Sequence, residues 1–281
     1  MPGAPTSLDR FRYNVFQRRC LLYMKFSLRH KQAYISGFRP GVFMRAFIRL
    51  PGYIRDIVQY GKMNPPRGFR ISVASLFPIL TDRDASAGIV QDHYFRQDLW
   101  AAQKIFERNP KKHVDIGSRI DGFIAHLLTF RSVTVIDIRS LECDIPGLTF
   151  VQDDATELNH VDNDSIDSMS SLHVAEHFGL GRYGDPIDPQ ACFRFMKTLQ
   201  RVLSPGGRLY FSVPIGRERV EFNAHRIFAP LTVLQNFTGL KLVSFSFIGD
   251  DGLLHSDANP LAIPESDYAC GLFEFTKPDN D

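Results

Sequence analysis

Three apolar, β-branched runs each close on an acid: His113-Val114-Asp115-Ile116-Gly117, Val133-Thr134-Val135-Ile136-Asp137, and Leu148 to Gln152 followed at once by Asp153-Asp154-Ala155. A carboxylate at a strand end is an acceptor with two oxygens, suited to vicinal hydroxyls or an amine. Gly117 and Gly122 punctuate a Ser118/Arg119/Asp121 turn after the first run, and an amphipathic segment leads to the second. Strand, turn, helix and strand in that order put a glycine-bearing loop, a helix N-terminus and a carboxylate at the carboxyl ends of the strands. Open α/β sheets bind nucleotide-like ligands there. A second group, His173-Val174-Ala175-Glu176-His177 with His225 further on, supplies imidazoles that titrate near neutrality and so could move a proton.

The elements that must position these residues are readable from periodicity. Gln91 to Asn109 carries Tyr94, Phe95, Leu99, Ala102, Ile105 and Phe106 at helical spacing and stops at Asn109-Pro110. Ser165 to Leu172 reads as a fourth strand, and the Gly/Pro-rich loop Gly179 to Pro189 as a wall of the site. Gln190 to Leu203 is an amphipathic helix that ends in Ser204-Pro205-Gly206-Gly207, with the strand Arg208 to Val213 directly after it. Arg217 to His225 is expected as a polar insertion and Ala229 to Phe237 as a short helix. Leu242 to Ile248 and Ala269 to Thr276 are expected as strands joined by the loop Gly249 to Pro264. Two closing strands with no helix between them form an antiparallel hairpin.

The 281 residues, 44% hydrophobic and 23% charged, suffice for a full core without staples. The net charge of +2 hides a division. Met1 to Arg70 holds fourteen Lys/Arg against Asp9 and Asp56, a net of +12, which leaves −10 to the rest. In that basic region Val15, Phe16, Arg18, Arg19, Leu22, Tyr23 and Phe26, and then Phe43 to Lys62, interleave cations with apolar residues near helical spacing. This predicts a helical extension whose apolar face packs on the main domain or lies on an anionic membrane surface. No nucleic-acid motif accompanies the charge, so no specific nucleic acid is predicted. Asn64-Pro65-Pro66-Arg67-Gly68 is the clearest linker signal, giving an extension over 1–68 and a main domain over 69–281. Residues 69 to 90 suggest a short strand and a loop. Four scattered cysteines without CxxC spacing, no apolar run of signal length and none of membrane-spanning length predict a cytoplasmic protein, peripheral to the membrane if the basic segment engages it.

Five features in order resemble the class I S-adenosylmethionine-dependent methyltransferase superfamily. They are Val114-Asp115-Ile116-Gly117, the acid Asp137, Asp153-Asp154-Ala155, a fourth strand followed by Leu172-His173-Val174-Ala175-Glu176-His177, and the Leu203-Ser204-Pro205-Gly206-Gly207 helix end with its strand and terminal hairpin. The resemblance covers about residues 90 to 277 and is closest to a bacterial branch of undefined substrate. It implies a seven-stranded, doubly wound Rossmann-like sheet with a C-terminal antiparallel hairpin, carrying the basic, mainly helical N-terminal extension. It implies S-adenosylmethionine as cofactor, with Asp115 near the methionine amino group and Gly117, Ser118 and Arg119 in the first loop. Asp137 would be on the ribose, and Asp153, Asp154, Ala155 and Leu172 around the adenosine. It implies methyl transfer to an oxygen or nitrogen of a small-molecule or glycan-type acceptor. His173, Glu176, His177 and His225 are the candidates near that acceptor, and the Tyr183 to Pro186 and Asn223 to Arg226 loops could reach it.

Other readings stay open at this point. Arg119 and Asp121 stand where the family's first loop has glycine, which motivates a non-catalytic binding or scaffold protein on the same fold. Arg119 could pair with a neighbouring acid or meet a cofactor carboxylate. Gly117-x-Arg119-x-x-Gly122 with Asp137 downstream has the spacing of a dinucleotide fingerprint, except that arginine replaces the central glycine. His173 to His177 also matches H-x-x-E-H, a zinc-protease signature, without a third-ligand motif.

Overall fold

The structure, a computed structural model, describes residues 40–82, 88, 90, 92–142 and 144–279. The chain divides into two units, Met1–Gly88 and Ile89–Asp281. The described part of the first is dominated by α1, Pro40–Lys62, which starts on a proline and contains Pro51. It stops where Asn64 turns left-handed (φ 52) ahead of Pro65-Pro66. The expected helical region over 43–62 lies within α1, while the Val15 to Phe26 segment lies outside the described residues. No strand forms among the described residues of 69–90. Instead, 3-10 turns occupy Arg67–Phe69 and Val73–Ser75. The reason is local: Ser75 Oγ accepts from Ser72 N at 2.8 Å and donates to Ser72 O at 2.8 Å, closing a turn in place of a ladder. No helix among the described residues is long and apolar enough to cross a membrane.

In the second unit, α2 (His93–Arg108) is capped by the Asp92 carboxylate on Tyr94 N and ends at left-handed Asn109. Then follow β1 (Val114–Ile116), a π-turn (Ile120–Ile124) running into α3 (Ala125–Leu128), β2 (Val133–Asp137), β3 (Leu148–Gln152) and β4 (Ile166–Leu172). The chain continues through α4 (Ala191–Val202), β5 (Leu203–Ile215), β6 (Arg219–Glu221), β7 (His225–Ile227) and α5 (Pro230–Asn236), and closes with β8 (Lys241–Ile248), β9 (Leu254–His255) and β10 (Ala269–Thr276). The main sheet has the order β3-β2-β1-β4-β5-β10-β8-β9. β1 to β5 are mutually parallel, and β10 runs antiparallel between β5 and β8.

This is the doubly wound, Rossmann-like sheet with its closing antiparallel pair. It has eight strands rather than seven because the two-residue β9, inside the expected loop, pairs with the end of β8. The expected polar insertion at 217–225 is likewise part of a two-stranded ribbon, β6 with β7. The alternation that sequence periodicity implies sorts the core onto two faces. Tyr210, Leu272 and Val135 pack with Trp100, Ile105, Phe123 and Leu127 of α2 and the π-turn/α3 segment. Phe211, Phe273 and Ile136 pack with Phe195, Leu199 and Val233 of α4 and α5. Each such side chain stabilises the fold by about 1.5–3 kcal/mol through burial. The reversal of strand order at β1/β4 then leaves a crevice at the carboxyl ends of the strands.

Candidate active site

The crevice is lined by the ends of β1, β2, β3 and β4 and by the 174–194 segment. Gly117, Arg119, Asp137, Asp154, Ala155, Leu172, His173 and His177 all face it. Asp115, Ser118, Asp153, Glu176 and His225 do not line it. Asp115 is fully buried: its Oδ1 accepts from Ser118 N at 3.0 Å, and its Oδ2 accepts from the hydroxyls of Ser118 at 2.7 Å and Ser170 at 2.5 Å. Ser118 Oγ in turn accepts from Leu172 N at 3.0 Å. His113 bridges Ser168 and Ser170 at 2.9 Å each. Burial pushes the Asp115 carboxyl up to about 6, against the pull of these hydrogen bonds. Asp115 therefore ties the first loop to β4 rather than facing a ligand amine, because all its bonds are made inward.

Gly117 must be glycine on two counts. Its φ is +73, and a Cβ there would meet Val174 Cγ1 at 2.7 Å. The helix expected after it opens as a π-turn, with Ile124 N bonding Arg119 O at 3.2 Å. Gly122 lies so close to Asp98 that a Cβ would sit 2.6 Å from its Oδ2.

Asp137 is lined up as expected but already partnered. Its carboxylate accepts from Arg139 N at 2.8 Å, Nε at 2.9 Å and Nη2 at 2.6 Å. The Arg139 guanidinium lies over the Tyr183 ring, 4.9 Å from its centroid. Arg119 takes the first of the alternatives its position offered: it pairs with Asp121 at 3.2 Å and covers the Tyr94 ring at 5.0 Å. Asp154 accepts from Thr156 N at 2.9 Å and Oγ1 at 2.8 Å, closing the turn that exposes Ala155 and Thr156 to the crevice. Asp153 accepts from Asp154 N and turns to a separate hollow beside His160. The Gly179 to Pro189 loop forms a wall through Tyr183, Asp185, Pro186 and Asp188.

The histidine group gathers at one end of the crevice. His173, at φ +54, is 7% exposed, and burial lowers it to about 3. Burial likewise lowers His177 to about 4, and its Nδ1 donates to Ala224 O at 2.7 Å. Glu176 is 2% exposed, and burial raises it to about 8. His225 sits 5.1 Å from the Tyr268 ring and is also lowered by burial. The H-x-x-E-H segment folds as a bend after β4 and one 3-10 turn, Ala175–His177, and so lacks the helix that would set its imidazoles side by side. Sequence reasoning placed Tyr183 in a loop able to reach the acceptor but missed Tyr94, Arg139, His93 and Tyr268 as site residues. For Arg139 the signal was present, a cation two positions after a strand-end acid; for Tyr268, at the start of β10, nothing local marked it.

Residues 148–253 match a family model described as "Caenorhabditis protein of unknown function, DUF268". That description lends no support to the bacterial branch expected from the sequence. No curated protein sequence is significantly similar to the chain. Among similar solved structures, the [4+2]-cyclase SpnF is 13% identical with a TM-score of 0.49, the match covering 66% of this chain and 82% of that one. The N-methyltransferase NodS of Bradyrhizobium japonicum, bound to S-adenosylhomocysteine, is 15% identical over 66% and 88% with a TM-score of 0.44. A Burkholderia thailandensis 1,6-didemethyltoxoflavin-N1-methyltransferase is 16% identical over 65% and 79% with a TM-score of 0.45. At TM-scores below 0.5 these likenesses carry no weight for function, which rests on the geometry of the crevice.

Proposed function

We propose that the protein is an S-adenosylmethionine-dependent methyltransferase acting on an oxygen or nitrogen of a small-molecule or glycan-type acceptor. The observation that carries this is the convergence of Gly117, Asp137 and Asp154-Ala155, from three successive strand ends, on one crevice. The residues fit the cofactor. The Gly117 cradle is one a Cβ would fill, and Asp137 offers carboxylate oxygens to ribose hydroxyls. Ala155 lies beside apolar Ile138 and Leu172 for the adenine. Arg119, half exposed and paired with Asp121, would exchange that partner for the methionine carboxylate. The bound cofactor would supply a methyl group activated on a sulfonium, so the protein's task is to hold the acceptor in line with it. His177, its Nδ1 proton directed at Ala224 O, has Nε2, 3.7 Å from Glu176 Oε1, to receive an acceptor proton.

The inserted antiparallel β10 and the side chain at Arg119, in place of the glycine a pyrophosphate needs, favour this over a dinucleotide site. Calorimetric titration with S-adenosylhomocysteine is expected to give saturable heat. Neither heat nor thermal shift at millimolar ligand would leave the non-catalytic scaffold as the reading.

The proposal extends to an anionic membrane surface as a partner of α1. Phe47, Ile54 and Val58, each more than half exposed, share a stripe, with Arg45 and Arg49 on the far side. The full-length protein is expected to pellet with phosphatidylserine vesicles and to be released by about 0.5 M salt, beyond the screening range of such contacts. Absence from the phosphatidylserine pellet refutes this contact.

A further inference from the structure

Tyr183 joins parts of the crevice that the sheet keeps apart. Arg139 follows β2, Tyr183 lies in the loop region after β4, and in the sheet β1 stands between those two strands. The Arg139 guanidinium nevertheless lies 4.9 Å from the Tyr183 ring centroid, so this contact reaches across the end of β1, where Gly117 faces the crevice. Both side chains line the crevice and both are open to solvent, Tyr183 at 39% and Arg139 at 52%. Residues that line a crevice and are exposed as well stand at its mouth. Arg139 is anchored on its own side by both oxygens of Asp137, at 2.9 and 2.6 Å, and Tyr183 stands edge-on to His177 at 5.5 Å. The result is a strap over the crevice, from the end of β2 to the opposite wall.

One carboxylate sets the far end of that strap. Asp185 Oδ2 accepts from Gly179 N at 2.7 Å and Gly181 N at 3.3 Å, and its Oδ1 accepts from Tyr183 N at 3.2 Å. Backbone N–H groups converging on an anion wrap the loop round it. Gly179, Gly181 and Gly184 supply the left-handed turns this needs, at φ +75, +71 and +84. A Cβ at Gly179 would overlap Asp188 O, whereas one at Gly184 would meet nothing within 4 Å. The loop is thus crowded at its base and open beside Tyr183. A cation–π contact between half-exposed groups is weak enough to open locally without unfolding the chain.

We propose that Tyr183, positioned by Asp185, is the gate of the crevice: its contact with Arg139 parts to let a ligand pass, and so sets the rate of exchange rather than the affinity. That the ligand is the cofactor rests on the methyl-transfer reading; the gate rests on the strap.

An introduced thiol reads the gate with no ligand present. The reporter is Ala155→Cys, at a position 5% exposed within the crevice, in a chain also carrying Cys20→Ser and Cys143→Ser, with Cys192 and Cys270 buried. Its reaction with N-ethylmaleimide is expected to be about two- to fivefold faster once Tyr183→Ala is added, the factor that one exposed cation–π contact supplies. Arg139→Ala should accelerate it likewise, and Tyr183→Phe, which keeps the ring face, should react at the parent rate. Asp185→Ala should also accelerate it but add nothing once Tyr183 is alanine, whereas a merely structural loss would add to the effect. Circular dichroism on each variant checks folding. An unchanged rate in Tyr183→Ala overturns the proposal, as does acceleration in Tyr183→Phe. With Ala155 intact, stopped-flow binding of S-adenosylhomocysteine should show on- and off-rates raised together by Tyr183→Ala, with Kd held within about twofold. A rise in off-rate alone would make Tyr183 a ligand contact and overturn the gate. Faster labelling in a protein that does not bind S-adenosylhomocysteine supports the gate while sinking the cofactor reading; S-adenosylhomocysteine bound with labelling unchanged overturns the gate alone.

Discussion

Asp137→Ala is expected to weaken S-adenosylhomocysteine binding by about 10- to 150-fold, the worth of a charge-assisted hydrogen bond of roughly 1.5–3 kcal/mol. Arg139→Ala, two residues on, is expected to strengthen it. The asymmetry follows from how the carboxylate is held. Both Asp137 oxygens accept from the Arg139 guanidinium, at 2.9 and 2.6 Å, so ribose hydroxyls must share or displace it. The Arg139 side chain is 52% exposed, so the pair is worth little to stability and its removal should leave the fold intact. The Arg139 backbone N–H, at 2.8 Å, remains to orient Asp137 after truncation. Calorimetry on the two single variants and the double variant checks this. The double variant should match Asp137→Ala, because freeing a carboxylate that is absent gains nothing. Unchanged affinity in Asp137→Ala refutes the ribose assignment. Weakened binding in Arg139→Ala would instead make the guanidinium, poised over Tyr183, a direct ligand contact.

The same pair shows where sequence reading reaches and where it stops. Val133 to Asp137 announces a buried strand ending in an acid, since β-branched runs have few other stable uses. That Arg139 folds back on Asp137 depends on the path of the turn after β2, which no periodicity encodes. Asp115 repeats the lesson across strands. Its strand was legible, but its inward direction follows from register, which sets Asp115 beside Ser170 of β4. The π-turn in place of a regular helix sets Gly122 against Asp98 of another element, where a side chain would not fit. The histidine group was half legible: His173 and Glu176 stood out together, whereas His93 and Tyr268 meet because β10 inserts beside β5, bringing the start of β10 toward the start of α2. The turn at 72–75 went the other way, a β-like string captured by its own serines.

Glu176→Gln is expected to remove from the native protein a contribution to stability that falls between pH 6.5 and 8. Burial holds the folded Glu176 carboxyl at about 8, against 4.5 for an unperturbed glutamate. The folded chain therefore carries the extra proton across that whole interval, and stability is lost as pH rises through it. His173 and His177 run the other way. Held at about 3 and about 4 against 6.5, they favour the folded state above pH 6.5 and lose that contribution as pH falls below it. Below pH 6.5 the opposing slopes overlap, and Asp115, held at about 6 against 3.8, adds its own loss with rising pH. At pH 6.5 an unfolded histidine is still half protonated, so His113, His173 and His177, all held well below it by burial, go on adding stability as pH rises and offset part of the Glu176 loss. Glu176→Gln keeps these histidines, so the comparison isolates Glu176: a full proton of difference is worth about 1.4 kcal/mol per pH unit, and the native protein should lose about 1.5 kcal/mol relative to the variant from pH 6.5 to 8. Urea unfolding followed by the fluorescence of Trp100, the sole tryptophan and packed edge-on to Tyr210, reads this in the unit that holds the site. Equal slopes in the two proteins would place the Glu176 proton elsewhere. A native protein that loses stability against the variant across this interval would show the carboxyl kept neutral at physiological pH, the state that burial imposes on it.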